Sequence, residues 1–132
     1  MERYESWLDR AKSSLEIAGT RNSNLVYYED LCYQAQQAVE KAIKGMLIYY
    51  KVEPQFTHNI GILLEELGAY VKITDEIKET IKLTKYAVQT RYPGEYDDTT
   101  KEDYEESLEI AKRCLEWVQS KIKENENGIA PN

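Results

Sequence analysis

The chain has 132 residues, which is enough for one globular domain with its own hydrophobic core. Hydrophobic residues make up 42% of the chain and charged residues 31%, so the composition is neither that of a disordered protein nor that of a membrane-embedded one. The net charge is −7, with 24 acidic against 17 basic side chains. This balance argues against non-specific electrostatic binding to the phosphate backbone of DNA or RNA, although a local basic site is still possible.

The same sequence lacks several kinds of functional pattern. Cys32 and Cys114 form no CxxC pair and have no histidine near them in sequence, so we predict no metal site. No glycine-rich phosphate loop is present, and we expect no cofactor. No apolar run approaches the roughly 18 residues of a membrane span. Because residues 1–5 show no signal-peptide pattern either, we predict a cytoplasmic protein without membrane contact.

Apolar residues recur at helical spacing in the first half of the chain. The spacing predicts a first helix from Tyr4 to Ala18, which Gly19 ends, and a second helix from about Leu25 to Tyr50. A loop with Pro54 and then a short third helix follow. The residues predicted to be buried in the second helix are Tyr28, Leu31, Cys32, Ala35, Ala38, Val39, Ala42, Ile43 and Met46, and those in the third are Ile60, Leu63, Leu64 and Leu67.

The second half predicts two more helices. Thr74 is the expected N-cap of the fourth helix, whose inward face is predicted to be Ile77, Ile81, Thr84 and Val88. The pattern Thr99-Thr100-Lys101-Glu102 predicts a capping box at the start of the last helix. That helix ends at Ile122, and a polar tail fills 123–132.

These elements predict an all-α fold, an antiparallel up-and-down four-helix bundle with one additional short helix, over residues 1–122. The second helix carries small residues at Ala35, Ala38, Ala42 and Gly45. A glycine inside a helix costs about 1 kcal/mol relative to alanine, so another helix should approach closely there. This neighbouring helix belongs either to the same bundle or to a dimer or partner subunit.

Three segments together resemble one known family. They are Gln36-Gln37-Ala38-Val39-Glu40-Lys41-Ala42-Ile43-Lys44, then Thr57-His58 between Pro54 and a leucine-rich helix, then Arg91-Tyr92-Pro93. In this order they resemble the HEPN (higher eukaryotes and prokaryotes nucleotide-binding) domain, in its small stand-alone prokaryotic type. The resemblance covers about residues 1–122. It implies a bundle of four to five helices that is frequently a homodimer and frequently pairs with a small MNT-type nucleotidyltransferase in toxin–antitoxin modules.

The resemblance also implies where an active site would lie. The catalytically active branch of the family cuts RNA with an arginine that is followed, after four to six residues, by a histidine. Arg91 matches the arginine, but the positions for the histidine hold Tyr96, Asp97 and Asp98. Histidine transfers protons near neutral pH, whereas tyrosine or aspartate would need a large pKa shift. The missing histidine therefore weakens the prediction of an enzyme, and Arg91 and Tyr96 are kept as candidate catalytic residues.

Arg91 allows two interpretations. It pairs with a carboxylate such as Asp30 or Glu95, or its guanidinium binds a phosphate of a nucleotide or RNA while Tyr92 or Tyr96 stacks on a base.

A polar stripe at helical spacing on the second helix, Asp30, Gln34, Gln37, Lys41 and Lys44, is either a solvated face or one wall of a cleft with Arg91. The candidate nucleotide- or phosphate-binding residues are therefore Arg91, Tyr92, Lys44, Lys41 and Asp30. For His58 we expect a capping role before the third helix rather than catalysis.

Four functions stay open at this point. The leading hypothesis is a non-enzymatic homodimer that binds a nucleotidyltransferase, with or without a nucleotide between them. The alternative is a HEPN-type RNA-cleaving toxin that uses Arg91 with a partner other than histidine. In a third, Tyr92 or Tyr96 receives a nucleotidyl group from the partner protein, and in a fourth the bundle is purely structural. DNA binding is not expected in any of them.

Overall fold

The computed structural model describes residues 3–87, residue 94 and residues 97–128. In those residues it contains five α-helices and one 3₁₀ helix and no β-strand, which confirms the prediction of an all-α helical bundle. None of these helices combines the length and the apolar character that crossing a membrane requires. The elements are α1 (Tyr4–Ala18), α2 (Tyr28–Tyr49), α3 (Ile60–Leu67), α4 (Asp75–Lys78), the 3₁₀ helix (Glu79–Ala87) and α5 (Lys101–Glu126).

Helix α2 lies at the centre of the bundle and packs against α1, α3, α5 and the 3₁₀ helix. Its direction relative to α1 follows from two contacts. The ring of Tyr4, at the start of α1, lies 5.1 Å from that of Tyr49, at the end of α2, while Lys41 Nζ donates to Ser14 Oγ at 2.9 Å near the other end. The two helices are therefore antiparallel.

Helix α5 runs parallel to α2. Near the start of both helices the ring of Tyr104 stacks on that of Tyr28 at 5.5 Å, and near their ends Asn125 Nδ2 donates to the hydroxyl of Tyr49 at 2.8 Å. Tyr104 OH also donates to the carbonyl of Ala18 at the end of α1, at 2.8 Å. Of the three long helices, α1 is therefore antiparallel to α2 and α5, which run parallel to each other.

Helix α2 begins three residues later than predicted, at Tyr28, and Leu25 lies exposed in the preceding loop. It ends in a Schellman motif, because Val52 N–H donates to the carbonyl of Leu47 and Lys51 N–H to that of Ile48, both at 2.9 Å. This motif places Lys51 at φ 67°, in the left-handed region that glycine usually occupies.

The predicted inward face of the fourth helix is wrong beyond Ile77. After α4 the chain continues as a 3₁₀ helix, which has three residues per turn instead of 3.6. The residues that point inward therefore recur every third position, and Ile77, Thr80, Leu83 and Tyr86 are buried, whereas Ile81 is 45% exposed and Thr84 only half-buried. Val88 lies outside the described residues.

The capping box predicted for α5 is present, but it begins at Thr100 and not at Thr99. Thr100 is the N-cap, its Oγ1 accepts from Asp103 N–H at 3.0 Å, and the Asp103 carboxylate accepts from Thr100 N–H at 3.0 Å. The helix then runs to Glu126, four residues beyond Ile122. The boundary at residue 122 between a domain and a flexible tail stays a prediction.

Gly45 contacts α1, so the close approach that its sequence position predicted is made within the chain. A Cβ on Gly45 would lie 3.0 Å from Trp7 Cβ, 3.2 Å from Leu8 Cδ2 and 3.3 Å from the carbonyl oxygen of Tyr4. A methyl group at this position would be closer to α1 than ordinary van der Waals contact allows, which explains why a residue with poor helix propensity is found in the middle of α2.

Candidate functional site: a buried ion network on helix α2

The side chains of four polar residues meet between α2 and the loop that precedes α3. Gln36, Glu40 and Lys44 occupy successive turns of one face of α2 because they are four residues apart. All three are buried, and Glu40 and Lys44 are charged. His58 reaches them from the loop. We call these four residues the α2 network.

The carboxylate of Glu40 is the centre of the α2 network. Its Oε1 lies 2.9 Å from His58 Nδ1 and accepts from Gln36 Nε2 at 3.0 Å, and its Oε2 accepts from Lys44 Nζ at 2.9 Å. Gln36 Nε2 also donates to the carbonyl oxygen of His58 at 3.4 Å, and its own Oε1 accepts from Gln37 Nε2 at 2.8 Å. The loop is therefore attached to α2 through both the side chain and the backbone of His58.

These contacts determine the charge of Glu40. Burial acts to raise the pKa of its carboxyl group, but the hydrogen bonds from Gln36, Lys44 and His58 and the charge of Lys44 outweigh burial and hold that pKa below its ordinary value. Glu40 is consequently a carboxylate at neutral pH. The ammonium of Lys44 lies 5.9 Å above the ring of Trp7 as well, so its charge is stabilised from two sides.

His58 is the most accessible member of the α2 network, since 68% of its side-chain surface is exposed. The prediction that His58 caps α3 is wrong. Asn59 caps that helix, and its side chain accepts from Ile62 N–H. His58 instead directs Nδ1 inward to Glu40, while most of its side-chain surface stays exposed.

Of the six candidate residues from the sequence, the structure brings only Lys44 into this site. Lys41 points to α1, where its Nζ donates to Ser14 Oγ at 2.9 Å, and burial lowers its pKa. Asp30 is exposed in the first turn of α2, about 15 Å along the helix from Glu40 at 1.5 Å per residue. Arg91, Tyr92 and Tyr96 lie outside the described residues, as does Glu95, the suggested partner of Arg91.

Sequence reasoning missed Gln36 and Glu40 because both occur among apolar residues of a helix that is buried on nearly all sides. The signal that could have found them is the spacing of Gln36, Glu40 and Lys44. These three form a second row beside the predicted stripe of Asp30, Gln37 and Lys41, and Lys44 belongs to both. Among residues 3–87 and 97–128, no group of three or more histidine, cysteine or acidic residues is arranged to hold a metal ion.

Comparison with known proteins identifies the family. The model of the HEPN domain matches residues 4–123. The chain is 31% identical over 134 aligned positions to "Putative toxin MJ1304" of Methanocaldococcus jannaschii, and the alignment covers 89% of this chain and 87% of that protein.

Two crystal structures superpose closely on the bundle, each with 32% sequence identity. ST0689, an archaeal HEPN homologue, matches with a TM-score of 0.73 over 92% of this chain and 99% of its own. TT1696 from Thermus thermophilus matches with a TM-score of 0.76 over 91% of this chain and 98% of its own. With a family model that covers nearly the whole bundle, and relatives that share its length and fold, this chain belongs to the HEPN domain family.

Proposed function

We propose that this chain is the HEPN component of a toxin–antitoxin-type pair, in which it forms a homodimer and binds a small nucleotidyltransferase of the MNT type. The observation that carries the proposal is the likeness to a putative toxin over 89% of this chain and 87% of that protein. The likeness extends over nearly the full length of that relative and is not confined to one short segment.

The charge of the molecule supports a protein partner over a nucleic acid. A surface with a net charge of −7 repels a phosphate backbone, whereas it steers a partner that carries basic residues towards it. Large apolar side chains are also exposed in two loops, Leu25 and Tyr27 before α2 and Phe56 before α3. Exposed aromatic side chains of this kind are enriched at protein interfaces.

A nucleotide between the two proteins is part of this proposal, and the structure reduces the number of candidate residues that could bind it. Lys44 is an unfavourable phosphate ligand because it is buried and already paired with Glu40. Lys41 is half-buried against α1. We therefore assign the phosphate contact to Arg91 and the stacking contact to Tyr92. We place the pair in the cytoplasm.

A growth experiment tests the proposal. The chain is expressed from an inducible promoter in its host, alone and together with the product of the adjacent gene, and a frameshifted copy of the same gene serves as control. We expect growth arrest with the intact chain alone and recovery when the neighbour, a nucleotidyltransferase, is present. Normal growth in all arms, or arrest that the neighbour does not relieve, would count against a toxin–antitoxin pair.

A further inference from the structure

We propose that an open cavity at one end of the bundle binds the guanidinium of an arginine side chain, presented by a basic segment of another protein. The cavity has a volume of about 760 Å³ and lies where the start of α1 meets the ends of α2 and α5. Because its walls include the rings of Tyr4, Tyr49 and Tyr50, we call it the tyrosine pocket. The inference goes beyond the toxin–antitoxin proposal and does not depend on it.

The three rings of the tyrosine pocket lie in successive perpendicular planes. The rings of Tyr4 and Tyr49 meet edge to face at 5.1 Å, with 83° between their planes, and Tyr49 meets Tyr50 in the same way at 5.2 Å and 80°. Tyr70, which is not part of the wall, stacks on Tyr50 at 5.4 Å and supports its ring. Aromatic rings that surround a space from different directions are the arrangement with which proteins bind organic cations.

The electrostatic field around Tyr4 favours a positive ligand. Burial raises the pKa of the Tyr4 phenol, and the carboxylates of Glu5 and Glu126 raise that pKa further, against the opposite effect of Arg3. The guanidinium of Arg3 is itself paired with Glu5 at 3.3 Å. The carboxylates therefore outweigh the nearby base, and a cation that enters the pocket beside Tyr4 is attracted.

The ends of two helices add to this negative field. Helices α2 and α5 both end at the tyrosine pocket, and the carboxyl end of a helix carries a partial negative charge. The start of α1 acts in the opposite sense, but Glu5 lies in its first turn and compensates it. Lys51, which follows α2, and Lys123, in the last turn of α5, are exposed, so water screens their charges.

The polar groups of the pocket are suited to a guanidinium more than to an ammonium. Asn125 Nδ2 donates to the Tyr49 hydroxyl at 2.8 Å, which leaves the amide oxygen as an acceptor next to the exposed carboxylate of Glu126. A guanidinium presents five N–H donors in one plane and stacks on aromatic rings, whereas an ammonium is compact and strongly hydrated. Because the cavity is open, it can receive a side chain that is still attached to a protein, and the net charge of −7 attracts a basic segment.

The test is an NMR titration of the purified full chain with a peptide that carries a single arginine, acetyl-Gly-Arg-Gly-amide. The same peptide with citrulline keeps the shape of the side chain without its charge, and a third peptide carries lysine. We expect the arginine peptide to cause saturable shifts of the backbone amides of Tyr4, Tyr49 and Asn125. The lysine peptide should bind more weakly, and the citrulline peptide should cause no saturable shift.

Matched variants locate the site. Glu126→Gln removes one carboxylate of the pocket and should weaken binding of the arginine peptide about threefold. Glu124→Gln removes the same charge from a residue outside the pocket wall, which pairs with Lys121 at 3.6 Å, and should leave binding unchanged. Tyr4→Leu should also weaken binding about threefold, whereas Tyr4→Phe keeps the ring and should bind as wild type does.

The proposal is overturned if the arginine peptide shifts amides over the whole acidic surface without saturation at the tyrosine pocket. It is also overturned if the citrulline or lysine peptide binds as tightly as the arginine peptide. Equal weakening by Glu126→Gln and Glu124→Gln would overturn it as well, because the peptide would then respond only to total charge. Since Glu126 is exposed, its substitution tests the site even if Tyr4→Leu does not fold. These results leave the toxin–antitoxin proposal standing, because growth arrest is measured separately.

Discussion

Two contacts of helix α2 are stabilised in opposite ways. Where Gly45 meets α1, the backbones approach so closely that a methyl group would come within 3.0 Å of Trp7 Cβ. Where Glu40 meets the loop before α3, its buried carboxylate lies 2.9 Å from His58 Nδ1 and is also paired at 2.9 Å with the ammonium of Lys44, one turn further along α2. The first contact is limited by the space between the two helices, and the second depends on the pairing of opposite charges. The apolar contact should therefore respond to added atoms, and the α2 network to the loss of a single partner.

The two contacts also differ in what they cost. The Gly45 contact needs nothing beyond close packing to explain it, whereas the α2 network costs free energy to bury because its charges lose their hydration. The following substitutions can break or sharpen this contrast.

The largest expected effect is that of Glu40→Ala. Removal of the carboxylate leaves the Lys44 ammonium buried without its partner, and loss of one member of a buried pair costs about 3–5 kcal/mol. Urea denaturation followed by circular dichroism measures the free energy of unfolding. Glu109→Ala is the control, because Glu109 forms an exposed pair with Arg113 at 3.1 Å and its loss should cost about 0.5 kcal/mol or less. Equal losses would mean that burial does not set the strength of the pair.

Alkaline pH should produce the next largest effect, through a buried phenol at the end of the 3₁₀ helix. Burial raises the pKa of Tyr86 to about 12, above the value of 10.0 that it has in an unfolded chain. Between these values the unfolded state releases a proton that the folded state keeps, so stability is lost as the pH rises from 10 to 12. At 1.36 kcal/mol per pKa unit the loss reaches about 2–3 kcal/mol.

Tyr86→Phe provides the check on that interpretation. The substitution removes the titrating hydroxyl, so denaturation curves recorded at a series of pH values should show a shallower alkaline decline in the variant than in wild type. If the two proteins lose stability in parallel above pH 10, another group is responsible.

Gly45→Ala should destabilise the protein by up to about 2 kcal/mol. Alanine gains about 1 kcal/mol of helix propensity, but its methyl group meets Trp7 Cβ at 3.0 Å and the Tyr4 carbonyl at 3.3 Å, and overpacking costs about 1–3 kcal/mol. Gly19→Ala is the matched control, since its nearest contact is at 3.6 Å and its φ of −81° suits any residue. A thermal melt should rank Gly19→Ala above wild type and Gly45→Ala below it.

The smallest expected effect is a gain in stability. Lys51→Gly should stabilise the protein by up to about 1 kcal/mol, because glycine adopts the left-handed conformation at φ 67° without the steric cost that a side chain incurs. Lys51→Ala removes the same charge and keeps a Cβ, so it should show no such gain. If both variants were equally stabilised, loss of the lysine charge and not backbone strain would be the cause.

The sequence predicted the helices well and their details less well, for identifiable reasons. Apolar periodicity reports that a segment is helical, and α1, α3 and most of α2 were confirmed on that basis. It does not report a switch to three residues per turn, and so Ile81 was expected inside where Thr80 and Leu83 are found. The N-cap of α5 moved from Thr99 to Thr100 because two adjacent threonines satisfy the same pattern.

The site was harder to predict than the fold. Lys44 was chosen from its spacing alone, and nothing in the sequence says that its partner Glu40 faces the loop before α3, because that depends on how the loop folds back along α2. His58 was noticed as the single histidine but given the role that Asn59 performs. The contacts of Arg91, Tyr92 and Tyr96 stay predictions.

The central claim, a HEPN homodimer that pairs with a nucleotidyltransferase, is tested most directly by native mass spectrometry. The chain is purified with an affinity tag from its host at native expression level. The account predicts an assembly that contains two copies of this chain together with a stoichiometric nucleotidyltransferase. A spectrum that shows only a single copy of the chain, without any second protein, would contradict it.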